Sequence, residues 1–184
     1  MLLRCFIMAV LLCVTIAGNG QVIYETEKSS ISFSSDAPNE IIKAHSSKLR
    51  GIINTEKKQF AFKTEVSSME GFNSPLQREH FNENYMESAK YPDIAFSGKI
   101  IEDVDLSKDG KYTVRAKGKL NVHGISRDRI IYANVVVKNA RVEITSEFKV
   151  ALSDHDIKIP RIVNDKLATE VLVVVKTVML PYTP

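Results

Sequence analysis

The chain has 184 residues, 44% of them hydrophobic and 26% charged, with a formal net charge of +3. That is the size of one domain able to bury a continuous core. Its 25 Lys and Arg are interspersed with 22 Asp and Glu, so the charges describe solvated faces and not the concentrated basic patch that would bind nucleic acid.

Residues 1–20 read as an export leader. A short basic start ends at Arg4, an apolar run over 5–17 is too short to span a bilayer comfortably, and Gly18, Asn19 and Gly20 are the small or polar residues that follow it. Cleavage is expected after Gly20, with Ala17 the second choice, leaving 21–184 as a single exported domain, periplasmic or secreted. Cys13 is not expected to carry a lipid, because Leu12 before it is large where a lipobox needs a small residue. Cys5 and Cys13 are the only cysteines, so the mature chain is expected to have neither a disulfide nor a cysteine nucleophile.

Strand signals then follow one another. Residues 22–34 open as a strand in which Ile31 and Phe33 alternate with serines, until Asp36, Ala37, Pro38 and Asn39 break it. Residues 40–54 form a second extended run, interrupted near Ser46 and Ser47. Over 59–68, Phe60, Phe62, Thr64 and Val66 share one face while Lys63 and Glu65 take the other. A helix over 75–89 is the exception. Ser74 is its N-cap, Pro75 occupies the first position and Gln77 stands where it can reach back. Phe81, Tyr85 and Ala89 lie four apart on one stripe with Met86 beside it, and Pro92 stops the helix. A strand resumes over 94–102, with Ile94, Phe96, Gly98 and Ile100 on one face.

The second half alternates more cleanly. Tyr112, Val114, Ala116, Gly118, Leu120 and Val122 face one way against Lys111, Arg115, Lys117 and Lys119; Val142, Ile144, Ser146, Phe148 and Val150 do the same against Arg141, Glu143, Glu147 and Lys149. Asp109-Gly110, His123-Gly124 and Asn139-Ala140 mark the turns. Residues 129–138 and 167–180 are apolar on both faces, so their outer faces call for a cover: the helix, a loop or a second subunit.

About eight long antiparallel strands, one short helix and no second helical layer make an all-β barrel, because closure removes exposed edges. A barrel of that size is either filled by side chains or holds one small ligand. Thr64, Ala116, Gly118 and Ser146 are small where a filled core would use large residues, whereas Phe33, Phe60, Phe62, Phe96 and Phe148 are large. The small part of the wall leaves room for something apolar.

Three blocks of residues resemble the YceI family of lipocalin-like, polyisoprenoid-binding exported proteins. The first runs from Arg78-Glu79-His80-Phe81 to Tyr91-Pro92-Asp93-Ile94-Ala95-Phe96-Ser97. The second is Gly118-Lys119-Leu120-Asn121-Val122-His123-Gly124-Ile125-Ser126, and the third passes from Phe148-Lys149-Val150 through Asp154, Ile157 and Pro160 to Ile162 and Asp165. Together they cover residues 31–175. The resemblance implies an antiparallel barrel whose elongated apolar interior holds an isoprenoid or fatty chain for transport or storage, often as a homodimer. Here the dimer would form through the outer faces of 129–138 and 167–180, and transient contact with a membrane is a further expected interaction. The chain departs from the family at its first strand, where many members have His-Ser-x-Val-x-Phe followed by a histidine and this one has Ser29-Ser30-Ile31-Ser32-Phe33 followed by Ser34.

The residues expected to meet the ligand are Phe33, Phe60, Phe62, Phe81, Tyr85, Phe96, Ala116, Gly118, Leu120 and Phe148, with Arg78 and His80 at the mouth for a polar head group. His45, His80, His123 and His155 share no spacing suited to a metal, and Asp154, His155 and Asp156 alternate sides, so neither a metal nor a cofactor is expected. There is no Gly-x-Ser-x-Gly elbow and no Gly-rich phosphate loop, so no enzyme is expected. The alternative function is an interaction protein with a filled barrel, acting through its apolar outer strands.

Overall fold

A computed structural model of the chain describes residues 23–182; the expected leader lies outside the described residues. Strands follow in the order β1 (Ile23–Asp36), β2 (Ile41–Ser46), β3 (Arg50–Asn54), β4 (Gln59–Glu65), β5 (Asp93–Ile100), β6 (Gly110–Val122), β7 (Ile125–Lys138), β8 (Arg141–Ala151) and β9 (Glu170–Pro181), with one α-helix, α1 (Pro75–His80). Every pairing is antiparallel, and β1 meets β9 on one edge and β2 and β3 on the other, which closes the barrel. β2 and β3 are two halves of one strand, since Ile31↔Ser46 and Tyr24↔Ile53 belong to a single register along β1. The wall parts between them, where the Ser29 hydroxyl donates to the Leu49 carbonyl at 2.7 Å. The result is the expected eight-stranded antiparallel barrel with one short helix.

The sequence alternation becomes an inside and an outside. One end is sealed by apolar side chains: Tyr24, Ile53, Val114, Val137, Val142 and Met179 pack with Leu106 from the 101–109 connection. The Tyr24 hydroxyl donates to the Leu106 carbonyl at 3.1 Å. The connection is held in shape by Asp105, whose carboxylate accepts from the Ser107 hydroxyl and amide and is thereby held down to about 2. A bulge at Glu27 shifts the β1–β9 register, so the inward face passes from Tyr24 before it to Ile31 and Phe33 after it. Regular pairing of β7 with β8 stops at Asn134↔Thr145. Beyond it, side chains bridge the seam: the Ser146 hydroxyl donates to the Tyr132 carbonyl and Arg129 to the Lys149 carbonyl, each at 2.6 Å.

The opposite end carries α1. Its cap forms as expected, with the Ser74 hydroxyl accepting from the Gln77 amide at 3.2 Å, but Gln77 reaches back to the Asn73 amide at 3.1 Å and not to that of Ser74. The helix expected over 75–89 is shorter. After His80 the chain widens into a π-turn, Phe81–Tyr85, closed by the Met86 amide on the Phe81 carbonyl at 2.9 Å. Glu87 then adopts a left-handed conformation at φ 44°. That ends the helix five residues before Pro92 and buries Met86 while Ala89 stays exposed. Because α1 caps the barrel end, it does not cover the outer wall, and Ile130 and Tyr132 on β7 remain 51% and 62% exposed.

Candidate functional site

Between the sealed end and α1 the barrel encloses a cavity of about 360 Å³. That is more than twice the roughly 150 Å³ apolar void that accepts a benzene. Its walls come from alternate residues of nearly every strand: Phe60 and Phe62 on β4, Phe96 on β5, Ala116 and Leu120 on β6, Phe148 on β8. Ala116 sits between Ile100 on β5 and Ile131 on β7, and its small side chain is part of what leaves the space open. Phe60 and Phe96 touch with ring centroids 4.9 Å apart.

The π-turn aims its side chains at the same space. Phe81 and Tyr85 enter from above, and Phe81 stacks on Phe33 at 5.4 Å and meets Phe72 at 5.0 Å. The acidic and basic side chains of the lining, Glu40, His80 and Lys166, stand at the rim. Glu40 is engaged, its carboxylate accepting from the Gln77 side-chain amide at 2.9 Å and from Asn73 at 3.2 Å. Across the mouth, Asn39 binds Asp165 through backbone at 2.9 Å and through side chain at 2.7 Å, which ties the 164–169 connection to the β1–β2 turn.

Ten of the twelve residues singled out from the sequence line this cavity; Arg78 and Gly118 do not. Arg78 lies one residue around the helix from Gln77, exposed, and donates to the Ser67 carbonyl at 3.0 Å. Gly118 is paired with Gly98 so closely that neither position has space for a side chain. Phe72, Glu40 and Lys166 were not among the expected residues. They reach the mouth only because connections far apart in the chain meet there, and no local periodicity marks them.

The four histidines are dispersed. His45 faces Glu70 on the surface at 3.7 Å, and His80 is at the rim. His123 bridges the end of the helix to the β8–β9 connection, with Nε2 2.6 Å from the Glu87 carboxylate and Nδ1 3.0 Å from the His155 carbonyl. His155 is fully buried, with Nδ1 3.0 Å from the Ile125 carbonyl. A carbonyl only accepts, so Nδ1 carries the proton and Nε2 is left without a partner. Burial lowers the His155 pKa below its ordinary 6.5, so the folded chain holds this imidazole neutral where the unfolded chain would protonate it. The stabilisation is therefore complete above pH 6.5 and lost as pH falls from there toward the folded value. Urea midpoints should fall between pH 7 and 5, and the slope should shrink in His155→Gln; equal slopes in the two proteins would remove His155 as the cause.

A profile of the YceI-like domain matches residues 24–179, nearly all of the described chain. The chain belongs to the YceI-like family. Solved structures agree on the fold. A polyisoprenoid-binding domain from Saccharophagus degradans, implicated in plant cell wall breakdown, superposes with a TM-score of 0.74 at 16% identity, covering 86% of this chain and 98% of that one. BcnA of Burkholderia cenocepacia gives 0.68 at 14% identity, covering 82% and 95%. The Campylobacter jejuni YCEI protein gives 0.55 at 13% identity, covering 100% and 92%. At these identities the likeness is one of fold. No curated protein sequence matches the chain.

Proposed function

We propose that this YceI-like protein binds one long apolar or amphiphilic chain, an isoprenoid or fatty chain, in the barrel and carries or stores it outside the cytoplasm. The observation that carries this reading is the cavity itself: aliphatic and aromatic along its length, closed at one end by the Leu106 cluster, with its charged groups confined to the mouth. Such a space favours a molecule with one long apolar part, because every methylene moved from water into it gains about 0.8 kcal/mol before the cost of ordering the chain. The S. degradans relative, named as a polyisoprenoid-binding domain, supports the same class of ligand. The reading of a filled barrel fits less well, since about 360 Å³ of the interior is not filled.

Native mass spectrometry of the protein purified from its own host tests the proposal. The expected result is an adduct of several hundred daltons, on the order of a drug-sized or larger ligand, that solvent extraction releases as an isoprenoid or fatty species. A bare mass from a folded preparation, unchanged after incubation with extracted host lipids, would overturn it.

A further inference from the structure

The mouth of the barrel carries apolar side chains that the fold does not bury. Three of the large hydrophobic residues left exposed belong to segments that border the opening: Ile41 at 52%, Leu76 at 57% and Ile162 at 88%. Ile162 is the most exposed large hydrophobic residue among the described residues. It sits in a single 3-10 turn, Arg161–Val163, whose next residue, Val163, lines the cavity. The turn thus gives one aliphatic side chain to the barrel and its neighbour to solvent, where it packs against almost nothing.

The three segments meet around the opening. The Asn73 side chain donates to the Ile41 carbonyl at 3.0 Å and Gln77 to the Glu40 carboxylate at 2.9 Å, so the start of α1 lies against the start of β2. Asn39, in the turn before β2, joins Asp165, three residues beyond Ile162. Leu76 stands one helical turn before His80, which is at the rim. Basic side chains flank the most exposed tip: Arg161 precedes Ile162 and Lys166 follows it at the rim, and neither is in an ion pair among the described residues. Two acids of the same rim are engaged, Asp165 by Asn39 and Glu40 by Gln77 and Asn73.

Aliphatic tips flanked by free cations suit the head-group layer of an anionic bilayer, where the tips enter below the phosphates and Arg and Lys stay level with them. The tips stand on separate segments and form no continuous groove, which suits a fluid layer that closes around each one. A long apolar ligand that leaves such a layer through the mouth also stays out of water along its path. Resting on the carrier reading above, we propose that the protein docks mouth-first on an anionic lipid bilayer, with Ile162, Leu76 and Ile41 inserted among the head groups and Arg161 and Lys166 against the lipid phosphates.

The test uses protein processed by its own host. Both natural cysteines fall in the expected leader, so a single introduced one can carry an environment-sensitive dye, at position 162 or, as control, at position 138 in the β7–β8 turn of the sealed end. With vesicles of phosphatidylethanolamine and phosphatidylglycerol, the dye on Ile162→Cys should brighten and shift to the blue, and the dye on Lys138→Cys should not. Vesicle affinity should fall about tenfold in unlabelled Ile162→Ser, the factor one aliphatic side chain supplies, and about fivefold in Arg161→Gln or Lys166→Gln. Ile162→Ser should melt as wild type does, because the side chain it removes is not packed. If the 162 dye ignores these vesicles, or both dyes respond alike, mouth-first docking is wrong, while a lipid found by native mass spectrometry still upholds the carrier reading. A 162 dye that responds to host membranes only with their proteins present assigns the mouth to a protein receptor and also overturns the proposal. A responsive 162 dye beside a bare mass spectrum keeps the docking surface and removes the cargo.

Discussion

Ala116→Phe should give a folded barrel that retains no long-chain ligand. Position 116 faces the cavity from the middle of β6, so the added ring enters open space where it meets no packed core. The usual cost of overpacking is about 1–3 kcal/mol. Here it should be largely offset by the apolar surface the ring buries, leaving the melting temperature within a few degrees of wild type. The loss for the ligand is large. A ring that displaces about four methylenes removes about 3 kcal/mol of transfer free energy, which is roughly 100-fold in affinity. Lys117→Phe, one residue along and exposed on the outer face, is the control and should bind as wild type does. A folded Ala116→Phe protein that still carried its lipid would show that the chain lies elsewhere.

That prediction uses what was legible in the sequence, and its neighbour shows where legibility stopped. The period-two alternation of 112–122 and 142–150 was readable because each strand has one face in the core and one in water, and the residues on the two faces differ in kind. The first strand was harder. The bulge at Glu27 reverses its parity, so Tyr24, among the most buried side chains of the sealed end, falls out of phase with Ile31 and Phe33 and gave no signal. The mouth was illegible for a different reason: Asn39 and Asp165 are 126 residues apart, and only the closed barrel brings their segments together. Arg78 misled because a charge next to an apolar stripe looks like a mouth residue. The phase of the helix turns it outward onto the Ser67 carbonyl.

Gly118 was read, like Ala116, as a small residue that leaves room, and the register shows the opposite. Gly98 on β5 lies directly across from Gly118 on β6. A Cβ placed on Gly98 would be 2.5 Å from the Gly118 Cα and would collide with the Lys117 carbonyl; one placed on Gly118 would collide with the Ser97 carbonyl. Two glycines opposite each other let the two backbones approach closely, and any side chain there must push the strands apart. Gly118→Ala should therefore cost at least about 3 kcal/mol, beyond the usual range for adding one methyl, because the obstacle is a main-chain carbonyl held in a sheet. Gly51 provides the internal comparison. A Cβ there also collides, but with the ring of Phe62, its partner across β3 and β4, and that ring borders the cavity and has space to turn. Urea midpoints should thus fall steeply for Gly98→Ala and Gly118→Ala and modestly for Gly51→Ala, with the slope of each transition unchanged. Equal losses at Gly51 and Gly118 would mean that the close approach of β5 and β6 does not set the cost, and Gly118 would return to being one more small residue in the wall.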